Sequence, residues 1–452
     1  GAEYDSTKKH AEEKSFLKDY KTEMIQLDPL QTIIQMVHFN NTYSKRHLLI
    51  KAAWMDDKKR NVTKISSYPS KFIPQKFLDS YQKALNYHDG IKSEYDIVYY
   101  VGWGSPVWSP YDKKLGGSEQ AVKHLVESWT SSGYKVAVYG DFNEQVIEKT
   151  KNDKSTGDFF NFNTFKCSMK YKYLILWRRY GTHPIISWRL NAEKLYLDLH
   201  DSIPLTETCL DNLDNVDSII VRSKFHAQIV SKHHKSYDLL RKMEIIPNGV
   251  RTSDFMYIKE NSERDLYRFC WCSCYKRGLM YILAWMWPVI KQFAPKATFH
   301  IYYGMEGVQE EDFKKQMTQL LAQPGVIDHG RQNMEVIVKE KQTSSFHLYY
   351  SKTTAETDCI SIRESVSAGC IPIISNYNVF SEREGIKIPG DPHLQNDCRK
   401  AAAFIIDLLT KPEEIQKIRD QICGKETSWD DISKLWPLSK DNKLNEEQNQ
   451  EE

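Results

Sequence analysis

The sequence lacks long apolar runs and an excess of charge of either sign. No stretch of about 18 or more apolar residues occurs, so no transmembrane segment is predicted. The chain has 62 basic and 60 acidic residues, and the resulting formal net charge of +2 argues against nucleic acid as a partner.

Disulfide and metal patterns are also missing. The nine cysteines are an odd number without framework spacing, which favours a reducing compartment. We therefore predict a cytoplasmic location, which means the host cytoplasm if this Lys-, Asn- and Ile-rich chain is viral. No Asp-x-Asp motif stands in a suitable context, and no histidines have metal-type spacing, so no metal and no cofactor are expected.

A complete dinucleotide-binding fingerprint is absent as well. Gly102 and Gly104 follow an apolar run, but the third glycine of the pattern falls at Val107. An NAD site is therefore rejected.

Apolar β-type runs alternate with helical patterns from residue 95 onward. This alternation predicts βαβ units and parallel sheets that helices cover on both faces. The first set of predicted strands covers 96–101, 134–139, 173–177, 194–199 and 218–222, and the second covers 268–274, 298–303, 346–350 and 371–374.

A turn signal at Ile246-Pro-Asn-Gly-Val-Arg251 separates the two sets. We expect two α/β domains, at 93–248 and 249–425, with a cleft between them that is a favoured place for a ligand. A Lys-rich, mainly helical extension is predicted at 1–92. The composition favours a solvated helical extension, and the alternative is an appendage or linker that contacts another domain or subunit. A terminal helix that packs back is predicted at 426–441, and a disordered tail at 442–452.

The most informative motif is a pair of glutamates, Glu356 and Glu364, around the predicted start of a helix. A predicted strand ends before Glu356, and ligands of open α/β sheets bind beyond the carboxyl ends of strands. Carboxylates at this edge can accept hydrogen bonds from the hydroxyl groups of a sugar or a ribose. We therefore place the substrate here.

Three shorter motifs also follow predicted strands, and each has a structural alternative. Leu115-Gly-Gly-Ser-Glu119 lets backbone approach a ligand, or is a helix start with Ser118 as its N-cap. Tyr275-Lys-Arg-Gly-Leu279 offers two cations to a diphosphate, or is an ordinary basic turn. His200-Asp201 suits polar chemistry in a cleft, or contains a satisfied loop histidine.

Taken in order, these motifs resemble those of the retaining nucleotide-sugar glycosyltransferases of glycosyltransferase group 1. The matching pieces also include Ile246-Pro-Asn-Gly-Val250 and Ala368-Gly369, and the resemblance covers roughly residues 95 to 436. The segment Glu356-Thr-Asp-Cys-Ile360 is similar to a subgroup with Glu-Thr-x-Cys-Ile at the first glutamate. The resemblance implies the GT-B fold, in which two Rossmann-like domains face each other across a cleft.

The resemblance also implies a role for each matching residue. Catalysis is expected of Glu356, which faces the donor sugar, of His200, which lies beside the reacting sugar, and of Arg277, which stabilises the leaving diphosphate. Glu364 is expected to hold the ribose hydroxyls. The remaining contacts to the nucleotide sugar are expected from Gly116, Gly117, Lys276, Asp358, Cys359, Ile360, Ser361, Gly330 and Arg331, the last two near the nucleobase.

Two departures from the family pattern affect the diphosphate and the donor sugar. Many relatives carry an Arg where this chain has Cys272, and a Lys where it has Arg277. Many also carry Glu-Gly-Phe-Gly where this chain has Glu356-Thr-Asp-Cys359. The side chains that grip the diphosphate and the donor sugar therefore cannot be copied from those relatives.

The implied function is the metal-independent transfer of a sugar, with retention, from a UDP- or GDP-sugar to a glycan or another hydroxyl acceptor. Catalysis then consists mostly of positioning and of stabilising charge on the leaving group. Two alternatives stay open: a sugar epimerase or phosphorylase of the same fold, and a non-catalytic module that binds a nucleotide sugar.

Overall fold

The computed structural model describes residues 91–102, 107–167, 169–178, 190–202, 216–233, 241–257 and 264–438. All of them belong to one compact unit, His88–Glu452. The predicted extension at 1–92, apart from its last two residues, and the predicted tail at 442–452 lie outside these ranges. Within the ranges, no helix combines the length and the apolar composition needed to cross a bilayer.

The first half of the unit is built on a seven-stranded parallel sheet with the order β3-β2-β1-β4-β5-β6-β7. Its interior strand β1 is buried along its whole length, as expected for a parallel strand covered on both faces. The strands are β1 (Ile97–Gly102), β2 (Val136–Gly140), β3 (Asp158–Asn161), β4 (Lys170–Trp177), β5 (Asn191–Asp198), β6 (Ser218–Val221) and β7 (Met243–Ile245), and the helices are α1 (Gly117–Ser131), α2 (Glu144–Asn152) and α3 (Lys224–His233).

The second half has a six-stranded parallel sheet with the order β10-β9-β8-β11-β12-β13. Its strands are β8 (Asp265–Cys272), β9 (Thr298–Tyr302), β10 (Val326–Asp328), β11 (Ser344–Tyr349), β12 (Ile371–Ser375) and β13 (Ile386–Ile388). Its helices are α4 (Leu279–Tyr281), α5 (Trp287–Phe293), α6 (Glu311–Leu321), α7 (Met334–Thr343), α8 (Ile360–Ala368), α9 (Gln395–Leu409) and α10 (Pro412–Ile422).

Strand order reverses at the centre of each sheet. In the first sheet the chain runs from β1 out to β3 and then crosses to β4, and in the second it runs from β8 out to β10 and then crosses to β11. The loops after the two central strands diverge at such a point and leave a crevice for a ligand. The residues that follow β8 and β11 are therefore well placed to bind one.

A π-helical segment, Ile282–Met286, joins α4 to α5. Pro288 stands in the first turn of α5 and has no N–H to donate to a carbonyl one turn earlier. A wider turn just before the proline accommodates the missing bond. Helical backbone thus runs from Leu279 to Phe293 with a wider turn in its middle.

The chain returns to the first half through a short helix, α11 (Trp429–Lys434). This helix packs on α1, where Ser128 Oγ donates to Asp430 at 2.6 Å and Trp129 Nε1 donates to the carbonyl of Ser433 at 3.2 Å. At Gly249, in the turn between the halves, an added Cβ would lie 2.7 Å from the backbone of Trp429. Glycine therefore permits this close approach.

Candidate functional site

The loops at the carboxyl ends of both sheets line one cleft of about 580 Å³. Its wall from the first half includes the start of α1, Arg178 and the pair His200-Asp201. Its wall from the second half includes Cys272, Arg277 and the segment from Glu356 to the first turns of α8. Of the site residues predicted from the sequence, only Lys276 and Gly330 do not line this cleft.

Glu356 lies in the loop between β11 and α8, where one of its carboxylate oxygens has several donors. Oε1 forms an ion pair with Arg277 Nη1 and accepts hydrogen bonds from Tyr349 Oη at 2.7 Å and Ser273 Oγ at 3.2 Å. Oε2 accepts no hydrogen bond within the described ranges, although Glu356 lines the cleft. The geometry thus holds one oxygen in place and leaves the other for a hydroxyl group of a ligand.

The carboxylate of Glu356 also affects the pKa values of Arg277 and Tyr349. Burial disfavours the charge of Arg277, but the carboxylate of Glu356 outweighs burial and raises the pKa of Arg277. Burial and the same carboxylate raise the pKa of Tyr349 well above its ordinary value, so the phenol stays a donor. Arg277 follows β8 in a turn of 3₁₀ helix and is half-buried, so the rest of its guanidinium can reach a ligand in the cleft.

The N-terminus of α8 faces the same cleft. Its N-cap residue, Cys359, has left-handed backbone angles (φ 61°, ψ 70°), and no side chain caps the helix. Cys359, Ile360 and Ser361 all line the cleft. An uncapped helix start presents N–H groups and a positive dipole end, which favour phosphate or hydroxyl-rich groups.

Asp358 has a buried side chain that binds protein groups instead of facing the cleft. Arg363 donates to both of its oxygens at 2.9–3.1 Å, and Arg383 Nη1 donates to Oδ1 at 2.7 Å. The backbone N–H of Asn248, in the turn between the halves, donates to Oδ2 at 2.8 Å. Asp358 therefore anchors that turn to the loop that carries Glu356, and only its backbone is left for a ligand.

Glu364 lies in the second turn of α8 and lines the cleft below Ser361. Its Oε2 forms an ion pair with the buried Lys341 at 2.6 Å. Its Oε1 accepts no hydrogen bond within the described part of the chain. This oxygen is thus the one available to a ligand.

His200 belongs to a buried polar network at the ends of β5 and β6. Its Nε2 lies 3.0 Å from Asp198 Oδ2 and 2.8 Å from Arg222 Nη2. Asp198 also forms an ion pair with Arg222 and accepts a hydrogen bond from Tyr99. Burial and the charge of Arg222 lower the pKa of His200, so the imidazole is neutral at pH 7. Its Nδ1, without a hydrogen bond in the described residues, is the nitrogen left for a ligand.

Sequence reasoning missed Asp198, Arg222 and Lys341, which support the predicted site residues from behind. A signal was present for the first two. Asp198 interrupts the apolar run Leu195-Tyr-Leu-Asp-Leu199, and Arg222 directly follows Ser218-Ile-Ile-Val221. Because charges are seldom buried without a partner, two opposite charges at the ends of apolar strands indicate a buried ion pair.

The first half contributes its own polar wall. Arg178 Nη1 lies 3.3 Å from Glu119 Oε1, its Nε lies 3.0 Å from Asp201 Oδ2, and its guanidinium lies 4.6 Å from the ring of Trp177. Helix α1 begins at Gly117, with Gly116 as its N-cap, two residues earlier than a cap at Ser118 would give. An added Cβ on Gly117 would lie 3.4 Å from Ile360 Cδ1, so the starts of α1 and α8 approach closely.

Lys276, Gly330 and Arg331 lie toward one side of the cleft. Lys276 points away from it, and its Nζ contacts both carboxylate oxygens of Glu310 at 2.6 Å. Gly330 has a left-handed backbone (φ +61°) next to the lining residue Arg331. Arg331 Nη2 donates to the carbonyl of Lys114 at 2.8 Å, and Lys114 Nζ donates to the carbonyl of Arg331 at 3.0 Å. This reciprocal contact joins the two halves.

Metal-type clusters and disulfides are absent from the described ranges. The described residues contain no group of three or more His, Cys, Asp or Glu side chains that could hold a metal ion. The eight cysteines in the described ranges are free thiols.

The fold, rather than the sequence, resembles that of known proteins. No protein-family model and no curated protein matches the sequence. Solved structures match over most of the chain, among them HepE from Anabaena in complex with UDP and glucose, which is 12% identical with a TM-score of 0.55 and coverage of 75% of this chain and 98% of that one. The chain has the GT-B fold.

Two further structures extend the comparison. Sucrose-phosphate synthase from Thermosynechococcus elongatus is 12% identical with a TM-score of 0.55, over 79% of this chain and 100% of that one. Starch synthase IV from Arabidopsis thaliana, bound to ADP and acarbose, is 10% identical with a TM-score of 0.55, over 76% of this chain and 98% of that one. At these identities the similarity shows a shared fold of two Rossmann-like domains.

Proposed function

We propose that the protein is a retaining glycosyltransferase, which moves a sugar from a UDP- or GDP-sugar to a hydroxyl group of a glycan or another acceptor. The observation that carries the proposal is the shared position of Glu356, Arg277 and Glu364. All three line one cleft beyond the carboxyl ends of a doubly wound sheet. Similar folds in structures that hold UDP or ADP support a nucleotide in this cleft.

The donor binds mainly to the second half. Glu364 accepts hydrogen bonds from the ribose hydroxyls through Oε1, and the diphosphate lies between Arg277 and the start of α8. The donor sugar lies against Oε2 of Glu356 and the backbone from Asp358 to Ser361. Gly117 gives the first half room to approach from the opposite side, and Arg331 lies on the side proposed for the nucleobase.

Transfer breaks the bond between the anomeric carbon and the diphosphate oxygen. The acceptor hydroxyl attacks the same face of the sugar, so the configuration is retained, and its proton passes to the departing diphosphate. Arg277 and the helix N-terminus stabilise the charge that develops on the leaving group, in a cleft where water competes little. His200 offers Nδ1 to a hydroxyl of the reacting sugar.

Positive charge from Arg277 and the dipole of α8 supports a transfer that uses no metal. The acceptor contacts the first half, where Glu119 and Asp201 flank Arg178. A cytoplasmic location agrees with the free thiols of the described residues.

The test is a binding screen followed by a transfer assay. We expect UDP or GDP, and the matching nucleotide sugar, to raise the melting temperature, because a ligand that binds only the folded state stabilises it. In the transfer assay we expect Glu356→Gln to lower kcat by roughly 10²–10³-fold while nucleotide binding persists, since a charged contact to the reacting sugar is lost.

A matched control is Glu311→Gln. Glu311 forms an exposed ion pair with Lys314 on α6, outside the cleft, and its loss should leave kcat unchanged. Nucleotide binding without transfer to any acceptor would contradict the enzyme and favour a binding module. Failure of every nucleotide to bind would contradict the proposed donor site itself.

A further inference from the structure

A lysine that no part of the proposed mechanism uses is wholly buried beneath the cleft. Lys341 lies in the last turn of α7, and its side chain has 0% exposure. Its Nζ donates to Glu364 Oε2 at 2.6 Å, to the carbonyl of Ser361 at 2.8 Å and to Ser361 Oγ at 3.1 Å. An ammonium group has three protons, so these three acceptors use all of them. Lys341 therefore cannot bind a ligand directly.

The contacts of Lys341 instead hold two residues of the first turns of α8. Ser361 Oγ donates to the carbonyl of Cys272 at 2.8 Å, so the same cluster ties α8 to the end of β8. Glu364 lines the cleft, and one of its oxygens is held by Lys341 while the other accepts no hydrogen bond from the described residues. The lysine thus decides which carboxylate oxygen a ligand meets and where that oxygen lies.

The electrostatics agree with a charged pair. Burial disfavours the ammonium form of Lys341, but the carboxylate of Glu364 outweighs the effect of burial. The pKa of Lys341 is therefore raised. Other titratable groups that interact with the ammonium are Cys270 and Cys272 of β8, His347 of β11 and Cys359, the N-cap of α8. Burial and the charge of Lys341 lower the pKa of His347 well below its ordinary value, so this neighbour stays neutral. Lys341 and Glu364 are therefore each other's counterion.

We propose that Lys341 is a positioning residue that makes the site selective for a ribose with both hydroxyl groups. It holds Glu364 so that the free oxygen Oε1 accepts hydrogen bonds from the vicinal 2′ and 3′ hydroxyls of a nucleotide. Without it, Glu364 is an unpaired carboxylate with other rotamers open to it, and the acceptor geometry is lost. This inference rests on the proposed nucleotide-sugar site.

The test measures the dissociation constants of UDP and GDP, each beside its 2′-deoxy counterpart, by calorimetry. We expect the wild type to bind the ribonucleotide about tenfold or more tightly than the deoxynucleotide, because a hydrogen bond to a charged acceptor is lost. In Lys341→Met, which keeps length but removes charge and donors, we expect this ratio to fall to near one. Affinity for the deoxynucleotide should change little.

Controls separate selectivity from folding. Lys411→Met removes an exposed lysine paired with Asp407 and should leave the ratio as in the wild type. If Lys341→Met does not fold, Lys341→Met/Glu364→Leu removes both buried charges and should fold with a ratio near one. In a Glu364→Gln background, Lys341→Met should not change the ratio further.

The outcomes distinguish this inference from the proposed function. A wild type that discriminates, with a Lys341→Met variant that keeps the full ratio while losing stability, would show a structural role only and overturn the inference. Equal loss of affinity for both nucleotides would do the same. A wild type that binds neither UDP nor GDP would overturn the inference together with the nucleotide site.

Discussion

Buried polar side chains around the cleft determine which groups remain for a ligand. Glu356, Glu364 and His200 each have one polar side-chain atom that binds protein partners and a second that forms no hydrogen bond with the described residues. Several of their partners come from distant parts of the chain: Lys341 lies 23 residues from Glu364, Arg222 lies 22 from His200, and Arg277 lies 79 from Glu356. Local spacing could identify the two glutamates at a strand end, but it could not identify partners that only the fold brings near.

The buried His226, which contacts this network, makes the stability of the fold depend on pH. His226 Nδ1 accepts the backbone N–H of Arg222 at 3.1 Å, and its Nε2 lies 3.0 Å from the carbonyl of Asp201, so the ring must donate from Nε2 and stay neutral. Burial lowers the pKa of His226 to about 4. The unfolded chain binds this proton near pH 6.5 and the folded chain does not, so stability falls as pH drops from about 6.5 toward 4.

We expect His226→Gln to flatten this pH dependence. Each group of this kind contributes a slope of about 1.4 kcal/mol per pH unit inside that window, and an uncharged Gln contributes none. The measurement is urea unfolding of both proteins from pH 8 to pH 5. Above pH 7.5 the difference in unfolding free energy between the two should be constant, and parallel curves down to pH 5 would argue against a neutral buried His226.

At the scale of elements, sequence patterns predicted the interior strands and missed the edges. The nine predicted strands correspond to β1, β2, β4, β5, β6, β8, β9, β11 and β12, and the four that were missed, β3, β7, β10 and β13, lie at the sheet edges. Edge strands have three or four residues and are mostly half-exposed or exposed. Without a second neighbour they need no continuous apolar run, so the signal for a buried strand is absent.

The start of α8 shows a different conflict, between side chain and backbone. Of the non-glycine residues with positive φ in the described ranges, Arg178, Tyr303 and Cys359 line the cleft and only Asn378 does not. A left-handed backbone costs an L-residue roughly 1–2 kcal/mol, and such strain collects at functional sites.

We expect the usual order of alanine and glycine to reverse at Cys359. Both Cys359→Ala and Cys359→Gly lose the buried thiol, but only glycine relieves the left-handed strain, so the Gly variant should be the more stable by about 1 kcal/mol. The measurement is the midpoint of urea unfolding for the two variants. The same pair at Glu414, exposed in α10, should show Ala more stable by about 1 kcal/mol. Greater stability of the Ala variant at both sites would contradict backbone strain at Cys359.

At the scale of the whole molecule, contacts between the halves surround the cleft. Ser223 Oγ donates to the carbonyl of Thr357 at 2.6 Å, and Thr357 Oγ1 donates to the carbonyl of His200 at 2.9 Å. These bonds lie deep in the cleft, near the turn held by Asp358. The reciprocal bonds of Lys114 and Arg331 lie farther out, between a loop before α1 and a loop after β10. The inner bonds are buried and the outer ones are exposed, so we expect the outer pair, here called the clasp, to break first when the cleft opens.

Loss of one clasp bond should favour a more open molecule. A hydrogen bond of this kind contributes about 1 kcal/mol net, so Lys114→Met should shift the ratio of closed to open molecules by about fivefold. We expect small-angle scattering of Lys114→Met without nucleotide to give a larger radius of gyration than the wild type. Saturating UDP or GDP should reduce the difference, because in the proposed complex the nucleotide sugar also contacts the first half near Gly117.

The neighbouring lysine is a matched control. Lys113 forms only a highly exposed ion pair with Glu335 at 3.5 Å, and exposed pairs contribute little. Lys113→Met removes the same charge from the same loop, so it should leave the radius of gyration as in the wild type. If both variants opened the molecule equally, the cause would be loss of charge across the cleft, and the directed bonds between Lys114 and Arg331 would not hold it closed.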